Sequence, residues 1–261
     1  MIIFCSQQLF FTDRLLCHSL QRSEHCSTKQ NPELCFLVME RILQLTSDGS
    51  YTIAVPSMHV TYHSIHGAIQ ESMHVFINAG LQPLLHQFET LHIFEMGFGT
   101  GLNALLSLQQ ATQHNQKIFY YAAELFPLKP YEYSSLNYSS KLQNDSLQSY
   151  FKLMHECEWG KDVSIHPLFT LHKTNESLLN LITDHAFNLI FFDAFAPAAQ
   201  PELWTQQVFK KVFQLLANKG MLVTYCSKGD VRRAMLAADF KVEKLQGPPR
   251  KREMLRAIKA I

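Results

Sequence analysis

One short stretch constrains this chain more than any other. The apolar run Leu91-His92-Ile93-Phe94-Glu95-Met96 breaks into Gly97-Phe98-Gly99-Thr100-Gly101, and Leu102-Asn103-Ala104-Leu105-Leu106 then resumes with helical spacing. A strand that turns into a helix through alternate glycines marks the crevice of an open α/β sheet, where ligands collect at the carboxyl ends of the strands. The rest of the chain fits that frame. Lys117–Ala123 (KIFYYAA) reads as a second strand, residues 164–171 as a third and Phe187–Phe192 as an apolar fourth, polar only at Asn188, ending at Asp193. Residues 204–217 (WTQQVFKKVFQLLA) read as an amphipathic helix, stopped by Asn218-Lys219-Gly220 as a C-cap, and residues 221–226 as a fifth strand. Continuous apolar strands separated by helices define the expected class: α/β, Rossmann-like, a mostly parallel open sheet with helices on both faces.

Length and composition add limits. The 261 residues suit one large domain, and 47% hydrophobic with 17% charged residues supports a sizeable core. No apolar run approaches the roughly 18 residues of a membrane span, and the N-terminus lacks the basic flank and cleavage site of a secretory signal, so a cytoplasmic protein is expected. Residues 1–38 are cysteine-rich and carry no sustained period. They are expected to be a poorly ordered extension, or sequence upstream of a natural start at Met39. Residues 39–261 then form the catalytic domain, opened by a β-rich, substrate-side segment over 39–85. Cys17, His18, His25 and Cys26 match no common zinc spacing, so no metal is expected and the six cysteines are read as reduced thiols.

The glycines carry the first chemical expectation. G-x-G-x-G lacks the later third glycine of a dinucleotide fingerprint, whose place Leu102 takes. That departure favours S-adenosyl-L-methionine, which has no pyrophosphate to cradle, over a dinucleotide. Donor contacts are expected from Glu95, Gly97, Phe98, Gly99, Gly101 and Asn103. Glu124, ending the second strand, is placed to accept ribose hydroxyls. Asp193 stands at the same rim, beside the transferred methyl. If the acceptor is an amine, Asp193 accepts its hydrogen bond and aligns its lone pair, the catalytic role expected here. Phe195 and Pro197 are placed to wall the adenine or the acceptor base.

Two further regions bear on the substrate. The polar stretch from Tyr62 through His63, Gln70 and Glu71 to His74 reads either as a substrate-side lid or as a surface helix with solvated histidines. From Lys210 onward thirteen Lys and Arg face four acids, a net +9 that leaves −8 for the remainder of a chain whose total is +1. Such a basic quarter suits a polyanion, and Lys228, Arg232, Arg233, Lys251 and Arg252 are its expected phosphate contacts.

Four motifs together resemble one family. Y-H-S-x-H-G-A-x-Q-E-S at residues 62–72, G-F-G-T-G-L-N at 97–103, D-A-F-A-P-x-x-Q-P-E-L-W at 193–204, and V-T-Y-C-x-K-G-x-V-R-R with G-P-P-x-K-R-E-M occur in order from about residue 41 onward. They look like the tRNA 5-methylaminomethyl-2-thiouridine methyltransferases of MnmC type. The resemblance implies methylation of the 5-aminomethyl group of the tRNA wobble uridine, with S-adenosylmethionine as donor and the anticodon stem-loop as partner. Bifunctional relatives continue into an FAD-dependent oxidase. This chain stops at Ile261, so no flavin is expected and another enzyme is expected to make the aminomethyl group; separately, no membrane partner is expected and the protein is expected to act as a monomer. One departure stands: relatives place an acid near the adenine where this chain has His172-Lys173-Thr174-Asn175.

Two other readings remain at this point. A small-molecule N-methyltransferase or polyamine-type transferase would share the sheet and the aspartate, and would keep activity without the basic tail. A non-catalytic tRNA-binding protein would show no heat of binding with the donor.

Overall fold

The structure is a computed structural model and describes residues 40–260. The expectations for residues 1–38, including Cys17, His18, His25 and Cys26, lie outside the described residues.

A small antiparallel sheet opens the domain: β1 (Ile42–Leu45), β2 (Tyr51–Val55) and β3 (Val60–Thr61), in that spatial order. A short helix α1 (Ala68–Ser72) runs directly into the π-helical segment Met73–Leu81. Asp48, in the β1–β2 turn, accepts from the backbone N–H of Gln70 at 3.0 Å and of Ser50 at 2.9 Å. The hairpin thereby caps the first turn of α1, whose N-cap residue Gly67 has no side chain to do so.

The main sheet has eight strands. In chain order they are β4 (Thr90–Met96), β5 (Lys117–Ala123), β6 (Asp162–His166), β7 (Phe169–Thr174), β8 (Phe187–Phe192), β9 (Leu216–Thr224), β10 (Phe240–Gln246) and β11 (Glu253–Lys259). Their spatial order is β10-β11-β9-β8-β4-β5-β7-β6. The pairs β4–β5, β4–β8, β5–β7 and β8–β9 are parallel, and the three pairs at the edges are antiparallel. The sheet is therefore mostly parallel and open, as its apolar strands predicted. β4 lies between β5 and β8, so the chain reverses its direction of winding there, which sets the glycine turn and the end of β8 side by side.

Two apolar layers sandwich the sheet. One is built on α2 (Leu102–Gln113), α5 (Ser146–Glu156) and the π-helical segment, around Leu105, Tyr120, Phe151 and Phe191. The other lies under α6 (Gln206–Leu215) and α7 (Gly229–Leu236), around Phe192, Phe209 and Met235. Short helices α3 (Pro130–Tyr133) and α4 (Tyr138–Lys141) link β5 to α5. Among the described residues no helix is long and apolar enough to cross a membrane.

Two local expectations need correction. The third strand is two: β6 and β7 form an antiparallel hairpin, because Pro167 interrupts the run and only β7 pairs with β5. The helix of residues 204–217 is shorter, since a 3₁₀ turn takes Pro201–Trp204 and α6 ends at Leu215. Asn218-Lys219-Gly220 is no helix cap. It bulges within β9, where pairing jumps from Phe187↔Leu216 to Leu189↔Met221 and Lys219 adopts φ 64°. The extra residues leave the ladder without breaking the strand.

Candidate active site at the glycine turn

All three glycines of the turn have positive φ: 92° at Gly97, 51° at Gly99 and 74° at Gly101. Each is also approached by the protein itself. A Cβ at Gly97 would stand 3.0 Å from the Asp193 carbonyl oxygen, one at Gly99 2.9 Å from the Tyr62 ring, and one at Gly101 3.0 Å from His155 Nε2. The turn is thus pinned between the end of β8, the small sheet and α5.

In front of the turn, side chains from four elements converge. Asn103, in the first turn of α2, donates from Nδ2 to Glu95 Oε1 at 2.9 Å and to Asp193 Oδ2 at 2.8 Å. Glu95 is buried at the end of β4, and desolvation pushes its carboxyl well above the usual range. Asp193 is half-buried, and its carboxyl is likewise raised, first by desolvation and then by the nearby charge of Glu71. Glu71, on α1, accepts the Ser64 N–H at 2.8 Å and pairs with Lys251 at 2.6 Å. Three carboxylates so close, with Lys251 the one cation paired to them among the described residues, form a site whose potential suits a cation.

Glu124 follows β5 and accepts from Gly99 N–H at 2.9 Å and Phe126 N–H at 2.7 Å, one on each oxygen. A carboxylate oxygen has room for a second donor, so this one can also take ribose hydroxyls. Phe195 meets the Tyr62 ring edge-on at 5.0 Å, and its carbonyl accepts from Trp204 Nε1 at 2.8 Å. Pro197 is half-buried on the same loop.

His63 is not a solvated surface histidine. It is buried, its Nε2 lies 2.7 Å from Thr100 Oγ1, and burial lowers its pKa to about 4. Of the two readings of this segment, the solvated helix therefore fails at His63, while Gln70 is exposed and His66 half-buried. Thr174 is buried, and its hydroxyl accepts from Glu176 N–H. Asn175 is exposed, and Lys173 is buried.

The basic residues divide. Lys251 belongs to the site. Lys228 and Arg252 are exposed, and Arg233 is exposed and held by Asp230 within α7. Arg232 is half-buried.

Sequence reasoning missed the residues behind the turn. His155 Nε2 donates to the Thr100 carbonyl at 3.1 Å, and its ring stacks on Tyr133 at 4.4 Å. Lys173 Nζ donates to the His155 carbonyl at 2.8 Å and lies 4.7 Å from the Trp159 ring. Tyr225, whose hydroxyl donates to the Ala194 carbonyl at 2.9 Å, also went unremarked. Its signal in the sequence was its place in the V-T-Y-C motif, at the end of the expected fifth strand.

The residues fit a sulfonium donor. Two buried acceptors beside the turn have no hydrogen-bond partner, Glu95 Oε2 and Asn103 Oδ1. A ligand with an ammonium and a sulfonium brings the donors and positive charge that such acceptors lack. A pyrophosphate would meet three carboxylates instead.

Comparison with known proteins agrees with this class. The family described as S-adenosyl-L-methionine-dependent methyltransferase matches residues 144–260. The bifunctional tRNA 5-methylaminomethyl-2-thiouridine biosynthesis protein MnmC of Pseudoalteromonas atlantica is 31% identical over 243 residues, covering 83% of this chain and 33% of the relative. The MnmC of Pseudomonas fluorescens is 31% identical over 209 residues, covering 75% and 31%. The chain thus spans about one third of the length of these relatives. The crystal structure of MnmC2 from Aquifex aeolicus superposes with a TM-score of 0.69 at 24% identity, over 87% of this chain and 72% of that one, and shares the fold. Residues 144–260 thus match a family whose cofactor is S-adenosyl-L-methionine, and the chain is similar to the MnmC proteins over about one third of their length.

Proposed function

We propose that this chain transfers a methyl group to the 5-aminomethyl group of the tRNA wobble uridine, giving 5-methylaminomethyl-uridine. The observation that carries the reading is the carboxylate rim of Asp193, Glu71 and Glu95 around the glycine turn. The reading also draws on the names of the MnmC relatives and on the basic C-terminal quarter.

S-adenosyl-L-methionine, when bound, supplies an electrophilic methyl on a sulfonium. The chain's own residues do the rest. The glycine turn, Glu95 and Asn103 hold the charged end of the donor, and Glu124 takes the ribose. Asp193 accepts a hydrogen bond from the acceptor amine, which must lose a proton to expose its lone pair. A raised carboxyl pKa makes Asp193 the better proton acceptor once ionised. Phe195 and Tyr62 form an aromatic wall, and His63 fixes Thr100 in the turn. Lys228, Arg232, Arg233 and Arg252 contribute phosphate contacts to the stem-loop.

Incubation with donor and an anticodon stem-loop bearing 5-aminomethyl-2-thiouridine, followed by nucleoside mass spectrometry, tests this. A mass gain of one methylene on that nucleoside is expected. Recovery of the unmodified nucleoside at saturating donor would remove the reading.

A further inference from the structure

Lys251 is a primary alkylammonium held inside the site. Its Nζ donates to Glu71 Oε1 at 2.6 Å, sits 4.3 Å from the centre of the Tyr225 ring, and is close enough to Asp193 to act on its charge. Glu71 itself is buried and fixed by the Ser64 N–H, and Tyr225 is fixed by its bond to the Ala194 carbonyl. The cage is therefore made of anchored parts, while its cation comes on a flexible stem from the turn after β10. Lys251 is half-buried, and its neighbours Arg250 and Arg252 point to solvent as exposed residues.

An aminomethyl group on a pyrimidine is the same chemical object, a primary alkylammonium at neutral pH. Resting on the function proposed above, we propose that the Glu71–Tyr225–Asp193 cage is the recognition site of the substrate's aminomethyl group, and that Lys251 fills it as a stand-in until substrate displaces it. A carboxylate and an aromatic face recognise an ammonium by charge and by cation–π attraction, and they reject an uncharged or acidic substituent at the same ring position. Lys251 keeps the cage from holding a buried uncompensated carboxylate when no substrate is present. Once displaced, its ammonium is free to meet a phosphate of the incoming RNA. Glu71 thereby becomes a specificity-determining residue, and Lys251 makes binding a swap of one ammonium for another.

The test is calorimetric titration of the nucleoside 5-aminomethyluridine, with 5-methyluridine as the control that lacks the amine. Both are titrated into the full chain in the presence of S-adenosylhomocysteine. The Lys251→Met variant keeps the stem and removes the competing charge, so 5-aminomethyluridine should bind about tenfold tighter than to wild type, with 5-methyluridine unchanged. Glu71→Gln should weaken 5-aminomethyluridine about tenfold, and a circular-dichroism spectrum matching that of wild type shows the variant is folded. Equal or weaker binding of 5-aminomethyluridine to Lys251→Met, or the same gain for 5-methyluridine, overturns the proposal. Because this readout needs no turnover, a cage that behaves as expected in a chain that methylates no stem-loop would sink only the proposed reaction.

Discussion

The glycine turn has two unlike sides. In front stand Glu95, Asp193 and Glu71, the last paired with Lys251, while Glu95 Oε2 and Asn103 Oδ1 have no partner. Behind stands His155, its hydrogen bond made, with the rings of Tyr133, Phe151 and Phe98 centred 4.4–5.3 Å from its own. The back is finished without a ligand, and the front is not. A turn built of three positive-φ glycines is soft, and the packed back supplies the rigidity that lets the front keep unmet charge in place. Function on one side is carried by stability on the other.

Removing Asp193 strikes the front alone and has the largest expected effect. Asp193→Ala should leave S-adenosylmethionine affinity largely intact while slowing single-turnover methyl transfer by on the order of 10² or more. Wild-type turnover in that variant would take Asp193 out of the mechanism. Loss of donor binding would instead tie the front to the turn's own integrity.

The two sides also respond oppositely to pH. His155, like His63, has a folded pKa of about 4 against an ordinary 6.5, chiefly because of burial. Below about pH 6.5 the unfolded chain takes up protons that the folded one refuses, so stability falls as pH drops toward 4. Asp193 and Glu95 are raised, so they favour folding at low pH and lose that contribution as pH rises through their folded values. His155→Gln keeps a donor for Thr100 without a titrating ring. Its unfolding free energy, from denaturant titration, should fall less than that of wild type between pH 7 and pH 4.5, by on the order of 2 kcal/mol. An identical pH profile would mean that His155 is protonated in place and that the back is not dry.

What the sequence made legible follows the same division. The strand–turn–helix, Glu124 and Asp193 were readable because each sits at a fixed place relative to an apolar run, and strand ends of a parallel sheet share one rim. The fold class followed from the same runs. The back was not readable. His155 lies 54 residues from Gly101 in a helix whose own pattern asks only for Leu147, Phe151 and Met154 to be buried. Lys251 was legible as a basic residue, but its pairing with Glu71 spans 180 residues and has no local signature. All three glycines were assigned to the ligand, whereas the side chains of Tyr62 and His155 and the Asp193 backbone also demand them. The bulge in β9 misread as a helix cap is the same kind of error, since Asn-Lys-Gly suits positive φ in either setting.

The rim lysine and the arginines of α7 differ in what their charge meets. Arg233 spends its charge partly on Asp230, and neither Arg232 nor Arg233 is part of the carboxylate rim that Lys251 joins. Their field reaches a polyanion without touching the reacting amine. Arg232→Ala with Arg233→Ala should therefore weaken stem-loop binding only several-fold, for every tRNA alike, and should lower the slope of log affinity against log salt by up to about 2. Turnover at saturating RNA should stay near wild type, because counterion release contributes to association and not to the aligned attack. A salt slope that does not move would make both arginines ordinary surface charges and confine RNA contact to the Lys251 turn. A fall in saturated turnover would show that α7 helps position the uridine, so that binding surface and reacting rim are not separate.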